Sequence, residues 1–398
     1  MLSDDIKRAN HRFETIALEN AAWNISQEAR IMKADFLYCI CNNSEVKFDP
    51  FESHMRNFLL FQESWRNIAH FASEDPHRVV DFLQKVEIDS AVDHQYRARC
   101  TRCLFYLVKI HDILPSSLTC MNIVKEGNHA VVAGGFSDIW KGRKADDGSP
   151  VCLKVLRIFV NNGVQNADTI ISKFCREALV WRNVKHPNVL PFLGVNKELF
   201  APSFCLISPW MDNGNIMSFL RHHPRLDRLN SITDVARGMA YLHSLEPPIV
   251  HADIRGANIL ITSDLRCCLA DFGLALAVEP PSSSSCSNSV SGSLRWLAPE
   301  ILDFHLFDPR YLAARDVYAF GCTTVEIFTG KPPYPHIHHD SAIIHEVLTK
   351  GNRPERPSLM PDELWKLVSQ CFLTSADRRP LSSDLLYNLE ELVSFPPG

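Results

Sequence analysis

The sequence predicts an α+β fold that follows an all-α N-terminal region. Three changes of pattern along the 398 residues support this prediction. Apolar residues recur at helical spacing up to about residue 125, short alternating runs begin at Val131, and helical patterns return after Gly214. Because the chain is longer than one ordinary compact domain, we expect two or three lobes.

The N-terminal region, residues 1–121, reads as a series of helices. Helical spacing relates two sets of apolar residues: Phe58, Phe61, Trp65, Ile68 and Ala69, and then Val79, Val80, Leu83 and Val86. A further helix is expected over about 91–112, ending before Pro115. Since the apolar faces must be buried, this region is either a regulatory or partner-binding module or a helical cap on the lobe that follows.

The middle of the chain reads as strands joined by turns. Asp147-Gly148 lies between two alternating apolar runs and predicts a β-hairpin. A helix is expected over about 169–184, and two strand-like stretches follow, NVLPFLGV at 188–195 and FCLISPW at 204–210. Beyond Gly214 the chain is expected to be mainly helical.

Composition narrows the classes of function. Hydrophobic residues make up 46% and charged residues 22%, as in ordinary globular proteins, and a net charge of -5 offers no overall attraction to nucleic acid or anionic membranes. The N-terminus lacks the apolar core of a signal peptide, and no uncharged apolar run approaches 18 residues. Thirteen scattered cysteines suit reduced thiols, so we expect a cytoplasmic protein with no membrane or nucleic-acid partner.

Six short motifs follow one another in a characteristic order. They are Gly134-Gly135, Lys154 in VCLK, Glu177 twenty-three residues later, Asp253 with Asn258 in HADIRGAN, DFG at 271–273 and APE at 298–300. Each motif is common alone, but together they resemble the eukaryotic protein-kinase family over about 122–395. The resemblance implies a bilobal protein-kinase fold, with a small β-rich lobe at about 122–211 and a large helical lobe at about 212–395, preceded by the all-α region.

The resemblance also implies the chemistry, which is transfer of the ATP γ-phosphate to a protein hydroxyl with Mg²⁺ as the metal. Such transfer requires positioning and charge neutralisation more than covalent help. By resemblance, Lys154 contacts the α- and β-phosphates and is oriented by Glu177. Asn258 and Asp271 offer the hard oxygen ligands that suit Mg²⁺.

Two further residues of HADIRGAN are assigned by resemblance to the transferred group. Asp253 is expected to accept a hydrogen bond from the substrate hydroxyl, and Arg255 to contact the transferred phosphate. Asp316 is expected to organise this loop, and Glu300 and Arg379 to form a buried structural ion pair.

The nucleotide is expected between a Gly-rich loop and a hinge. The residues implied for nucleotide binding are Val132, Gly134, Gly135, Phe136, Ile139, Lys154, Ser208, Pro209, Met211 and Leu260. Pro209 lacks only an N–H that adenine does not use, so the hinge is compatible with ATP. Val132 and Ser137 stand where the family pattern has its first and third glycines. The middle glycine is present as Gly134, or as Gly135 if the alignment is shifted by one residue.

The acceptor hydroxyl and the activity itself leave alternatives open. Residues 292–300, GSLRWLAPE, are similar to the corresponding segment of tyrosine-kinase-like (TKL) serine/threonine kinases. The sequence of residues 176–195 is similar to that of such kinases from mushroom-forming fungi, the basidiomycetes. Arg255 also occurs in some tyrosine kinases, so a tyrosine or dual-specificity kinase is the alternative acceptor class. The altered Gly-rich loop leaves a pseudokinase, a scaffold that binds partners without turnover, as the alternative to an enzyme.

Regulation is expected to depart from the family pattern. Many kinases order their activation loop by pairing a phosphate with cations, the main one being the residue before the catalytic Asp. Here that residue is Ala252, and Leu276 stands at a second cation position. We therefore expect control without phosphate docking, although 282–293 is rich in serine.

Overall fold

The structure, a computed structural model, describes residues 76–395 apart from 89–93, 112, 134–136, 158–166, 202, 247, 273–275 and 278–292. The chain forms two compact units, Met1–Ser117 and Leu118–Gly398. The apolar stretch at 58–69, predicted to be helical, lies outside the described residues. No helix among the described residues is long and apolar enough to cross a membrane.

The described part of the first unit is a pair of packed helices, α1 (Pro76–Ile88) and α2 (His94–His111). Val79, Val80 and Leu83 are buried, as their spacing predicted. Helix α2 ends before Pro115, as expected for the helix predicted at about 91–112. Two cysteines of α2, Cys100 and Cys103, are buried, and burial raises the pKa of Cys103 to about 12, so these thiols are part of the core.

The second unit contains all of the described strands. They are β1 (Ile123–Lys125), β2 (Val132–Ala133), β3 (Ser137–Lys144), β4 (Pro150–Leu156), β5 (Gly194–Asn196), β6 (Cys205–Pro209), β7 (Ile249–Val250), β8 (Ile259–Ile261), β9 (Cys267–Leu269) and β10 (Leu276–Ala277). Its helices are α3 (Ala167–Arg182), α4 (Ile216–His222), α5 (Arg228–Ser244), α6 (Pro299–Leu302), α7 (Ala314–Thr329), α8 (Asp340–Ile344), α9 (Asp362–Cys371) and α10 (Ser382–Ser394). A β-rich lobe is thus followed by a mainly helical lobe.

An antiparallel sheet forms the small lobe, in the order β1-β3-β4-β6-β5 with β2 paired to β3. The predicted hairpin joins β3 to β4, and its turn requires Gly148, which adopts φ 72°. Alternation along β4 buries Val151, Leu153 and Val155 in a core shared with β6. Lys154 therefore projects from the opposite face of the sheet.

Two local predictions differ from the structure. Of the strand-like stretch 188–195, only its end, in β5, is a strand of the sheet; Pro191 has no N–H to donate to a strand ladder. Leu190 instead donates a backbone hydrogen bond to Leu269 of β9 at 2.8 Å. The short strands β7 to β10 also interrupt the region expected to be helical, because two or three residues are too few to show a period.

The large lobe is built around α7, which is buried along most of its length. The predicted ion pair is confirmed: Arg379 donates to both carboxylate oxygens of Glu300 at 2.6 and 2.7 Å. Both side chains are buried, and Arg379 also donates to the carbonyls of Leu373 and Ala314. The pair therefore joins α6, the start of α7 and the segment before α10.

Replacing Glu300 with alanine should leave the Arg379 guanidinium buried without its charge partner. We expect the free energy of unfolding to fall by about 3–5 kcal/mol, measured by chemical denaturation. Lys366→Ala is the control, because its pair with Glu363 is exposed and its loss should leave the unfolding midpoint unchanged. Equal midpoints for the two variants would contradict the structural role of the buried pair.

Candidate active site

Lys154 is held between two carboxylates on the open face of the small-lobe sheet. Its Nζ lies 2.7 Å from Oε1 of Glu177 on α3 and 2.7 Å from Oδ1 of Asp271. Burial alone lowers the pKa of Lys154, but the two carboxylates outweigh it and raise the pKa above the usual value. The side chain is therefore a fixed cation, as the resemblance implies for a phosphate contact.

Aromatic packing holds α3 against the segment that carries Asp271. Phe272 is buried and stacks on Trp181 of α3 with ring centroids 5.6 Å apart. Its other neighbour is the ring of His251, at 5.2 Å. Glu177, Asp271 and His251 are thus positioned by one apolar contact chain.

Asp253 and Asn258 are joined within the loop that follows β7. Asn258 Nδ2 donates to Oδ2 of Asp253 at 2.8 Å and to the Asp253 carbonyl at 2.9 Å. Oδ1 of Asp253 is buried, yet it accepts no hydrogen bond from any described residue. A buried acceptor without a donor is costly and uncommon, so this oxygen is available to a bound hydroxyl.

Asp316, at the start of α7, holds the backbone of the same loop. Its carboxylate accepts from the N–H groups of His251 at 2.7 Å and Ala252 at 2.8 Å, and it contacts His243 Nε2 at 3.0 Å. Burial raises the pKa of Asp316, but the hydrogen bond and charge of His243, the charge of His251 and the Ala252 N–H together outweigh it, so the pKa lies below the usual value. The loop is therefore anchored to an ionised, fully buried carboxylate.

The ring of His251 connects the Asp253 loop to the Asp271 segment. Its Nδ1 accepts from the Asp253 N–H at 3.3 Å, and its Nε2 lies 3.1 Å from the carbonyl of Ala270, which requires a proton on Nε2. The Ala270 N–H donates to the carbonyl of Asn258 at 2.8 Å. The structure thereby brings the two groups of predicted site residues together.

The residues expected around the nucleotide are only partly described. Ser208 is buried at the end of β6, opposite Cys152 of β4, and a backbone bridge joins Asn215, just beyond the hinge, to Leu260. Val132 is the cross-strand partner of Ile139 and is 56% exposed. Gly134, Gly135 and Phe136 lie outside the described residues.

The donors fit the ions and phosphates that the resemblance implies. Asp271 is partly exposed, and Asn258 keeps its side-chain oxygen while its amide nitrogen is engaged by Asp253. Carboxylate and amide oxygens of this kind are the ligands that Mg²⁺ prefers. The Lys154 cation can neutralise phosphate charge beside them.

Sequence reasoning missed two residues beside Arg255. The Arg255 guanidinium lies over the ring of Trp296, with 4.9 Å between Cζ and the ring centroid. Trp296 Nε1 donates to Oε2 of Glu326, a buried carboxylate of α7, at 3.1 Å. Glu326 stands between Val325 and Ile327, and this acid between apolar residues was the available signal, because a carboxylate is rarely buried without a partner.

Comparison with known proteins agrees with this geometry. The family model for protein tyrosine and serine/threonine kinases matches residues 121–389. Serine/threonine-protein kinase STY46 of Arabidopsis thaliana is 27% identical over 270 residues, covering 67% of this chain and 44% of that protein. Tyrosine-protein kinase Abl of Drosophila melanogaster is 31% identical over 271 residues, covering 66% of this chain and 16% of that protein.

The probable serine/threonine-protein kinase pats1 of Dictyostelium discoideum is 31% identical over 268 residues, which cover 63% of this chain and 8% of that protein. The chain thus spans less than half of the length of these relatives. Relatives named for serine/threonine and for tyrosine specificity both match. Since the family model covers more than half of the chain and the small and large lobes are both present, the chain belongs to the protein tyrosine and serine/threonine kinase family.

Proposed function

We propose that the chain transfers the γ-phosphate of ATP to hydroxyls of protein substrates. The observation that carries this proposal is Oδ1 of Asp253, which is buried beside the Asn258 amide and has no hydrogen-bond donor among the described residues. A carboxylate oxygen kept free of other donors can accept the substrate hydroxyl and orient it toward the phosphorus. A scaffold without turnover gives no reason to keep such an oxygen buried and free.

The other site residues supply charge and position. Asn258 and Asp271 would hold Mg²⁺, which would neutralise the charge of the phosphates. Lys154 would turn from Asp271 toward the α- and β-phosphates while Glu177 keeps it oriented. Arg255 would contact the transferred group.

Serine or threonine is the acceptor that we favour. The support is the segment GSLRWLAPE, which is similar to tyrosine-kinase-like serine/threonine kinases, and the serine/threonine names of STY46 and pats1. The match to Abl keeps tyrosine as the alternative acceptor. On the same segment we propose membership of the tyrosine-kinase-like group. The scattered cysteines of the sequence suit reduced thiols, which supports action in a reducing compartment such as the cytoplasm.

Asp253→Asn tests the enzyme proposal. The amide cannot accept the hydroxyl proton, so we expect transfer of label from γ-labelled ATP to a generic protein substrate to fall by about 100-fold or more. Asp264→Asn is the control, since it makes the same change at an exposed turn and should transfer at the wild-type rate.

Equal background rates in the wild-type protein and Asp253→Asn would favour the pseudokinase instead. Phosphoamino-acid analysis of the labelled substrate in the same assay identifies the acceptor. Label on tyrosine alone would contradict the proposed preference for serine and threonine.

We also propose that phosphorylation within 282–293 does not activate the kinase by docking beside Ala252. Ala252 occupies the place of the usual cation and is buried in an apolar cluster with Val250 and Leu312, against which Phe307 and Ala313 pack. The backbone of Leu276 pairs with Val250 in the β7–β10 ladder. An apolar cluster offers nothing to a phosphate, and burying the phosphate charge there would be costly.

Control is then expected from elsewhere, and residues 1–117 are the candidate because they form a separate unit before the kinase lobes. We expect the kcat of the full chain and of residues 118–398 alone to differ by at least about fivefold, the lower end of typical regulatory coupling. Initial-rate measurements on both proteins, with thermal unfolding as a control for folding, check this. Identical activity and stability would exclude a regulatory role for the unit.

A further inference from the structure

Glu326 is a buried carboxylate near the C-terminal end of α7, and the catalytic roles assigned to other residues do not use it. It is 6% exposed, and its neighbours in α7 from Val317 to Ile327 are buried as well. Burial raises the pKa of Glu326 above its usual value, because removing a carboxylate from water disfavours its charged form. Such a group is tolerated only where its partners compensate, so those partners indicate its role.

Those partners lie in two segments, the loop that carries Asp253 and Asn258 and the segment that precedes α6. Oε2 of Glu326 accepts from the N–H of Gly256 at 2.9 Å and from Trp296 Nε1 at 3.1 Å. Gly256 lies between Asp253 and Asn258 in the catalytic loop, and Trp296 lies in the segment that leads to α6. One oxygen therefore joins the catalytic loop to the segment beside it.

Gly256 allows both the carboxylate of Glu326 and the side chain of Met217 to approach the loop closely. A Cβ there would lie 3.0 Å from Oε2 of Glu326 and 2.5 Å from the side chain of Met217. The residue between Asp253 and Asn258 that bonds to Glu326 is thus kept small by packing.

Arg255 completes the arrangement. Its guanidinium lies over the Trp296 ring at 4.9 Å, and its charge lowers the pKa of Glu326, which partly offsets the effect of burial. A cation over an indole face is attracted by the ring quadrupole, and stacking limits the rotamers of a long side chain. The indole is in turn fixed by its bond to Glu326.

We propose that Trp296 and Glu326 are positioning residues that hold Arg255 in one orientation for phosphoryl transfer. The inference rests on the proposed function, because it takes Arg255 as the cation that contacts the transferred phosphate. A cation that is oriented before the reaction acts on charge that develops in the transition state. Loss of its support should therefore lower kcat with little change in the KM for ATP.

A pair of substitutions at Trp296 separates the ring from the N–H. Trp296→Leu removes the stacking surface, and we expect kcat to fall by at least about tenfold, since a displacement of about 1 Å can cost 100-fold in rate. Trp296→Phe keeps a ring beneath Arg255 but removes the N–H that bonds to Glu326, so we expect a smaller loss of kcat than in Trp296→Leu. The KM for ATP should stay within about twofold of wild type in both variants.

A double-mutant cycle shows whether Trp296 acts through Arg255. Arg255→Lys keeps a cation, and with it measurable transfer, but lacks the planar group that stacks. We expect Trp296→Leu to lower kcat much less in the Arg255→Lys background than in the wild-type background. Thermal unfolding of each full-length variant checks folding, and Trp296→Met replaces the leucine variant if that one is not folded.

Three results would overturn the inference: an equal loss of kcat in both backgrounds, no loss in the wild-type background, or a change confined to the KM for ATP. Its failure is distinguishable from failure of the proposed function. If transfer itself is absent, the wild-type protein equals Asp253→Asn; if only the positioning role is wrong, the wild-type protein is active and the Trp296 variants show one of these three results.

Discussion

The fully buried carboxylate of Asp316 is the constraint on which the rest of the site depends. It accepts the consecutive N–H groups of His251 and Ala252, and those bonds hold Ala252 at φ 68°, a conformation that costs an alanine roughly 1–2 kcal/mol. With the backbone turned in this way, the His251 ring can bond to both Asp253 and Ala270. Asp271 and its pairing with Lys154 follow directly from the placement of Ala270.

A second consequence concerns the side chain of Ala252. Its methyl group faces Val250 and Leu312, so the position is occupied by packing rather than by a charge. Val250, two residues before Ala252, pairs through its backbone with Leu276. Apolar packing stabilises the loop in every copy of the protein, because it needs no modification. A cation pocket stabilises the loop only after a residue has been phosphorylated. These contacts support the proposal that the loop from His251 to Asn258 is held without phosphate docking.

Charge type and spacing explain how much of the site could be predicted from the sequence. Lys154, Asp253 and Asn258 lie in short motifs whose chemistry needs those residue types, and the structure places them in bonded groups. The helices of the first unit could be predicted because apolar residues at helical spacing mark the buried face of a helix, as at Val79 and Leu83.

Other features depend on contacts between distant segments, which no local pattern records. Trp296 and Glu326 are 30 residues apart and meet Arg255 only in the folded chain. That Oδ1 of Asp253 has no donor among the described residues likewise depends on the surrounding packing. Strands such as β7 and β10 have two residues each, too few for an alternating pattern to appear.

The central claim is that this site is active and is assembled without a phosphate on its activation segment. The most direct measurement is the kcat of a full-length variant in which every serine from 282 to 291 is alanine. Ser293 is kept because it is buried. The account predicts that this variant retains most of the wild-type kcat. A fall to the background of Asp253→Asn, reversed by aspartate at the same positions, would contradict it.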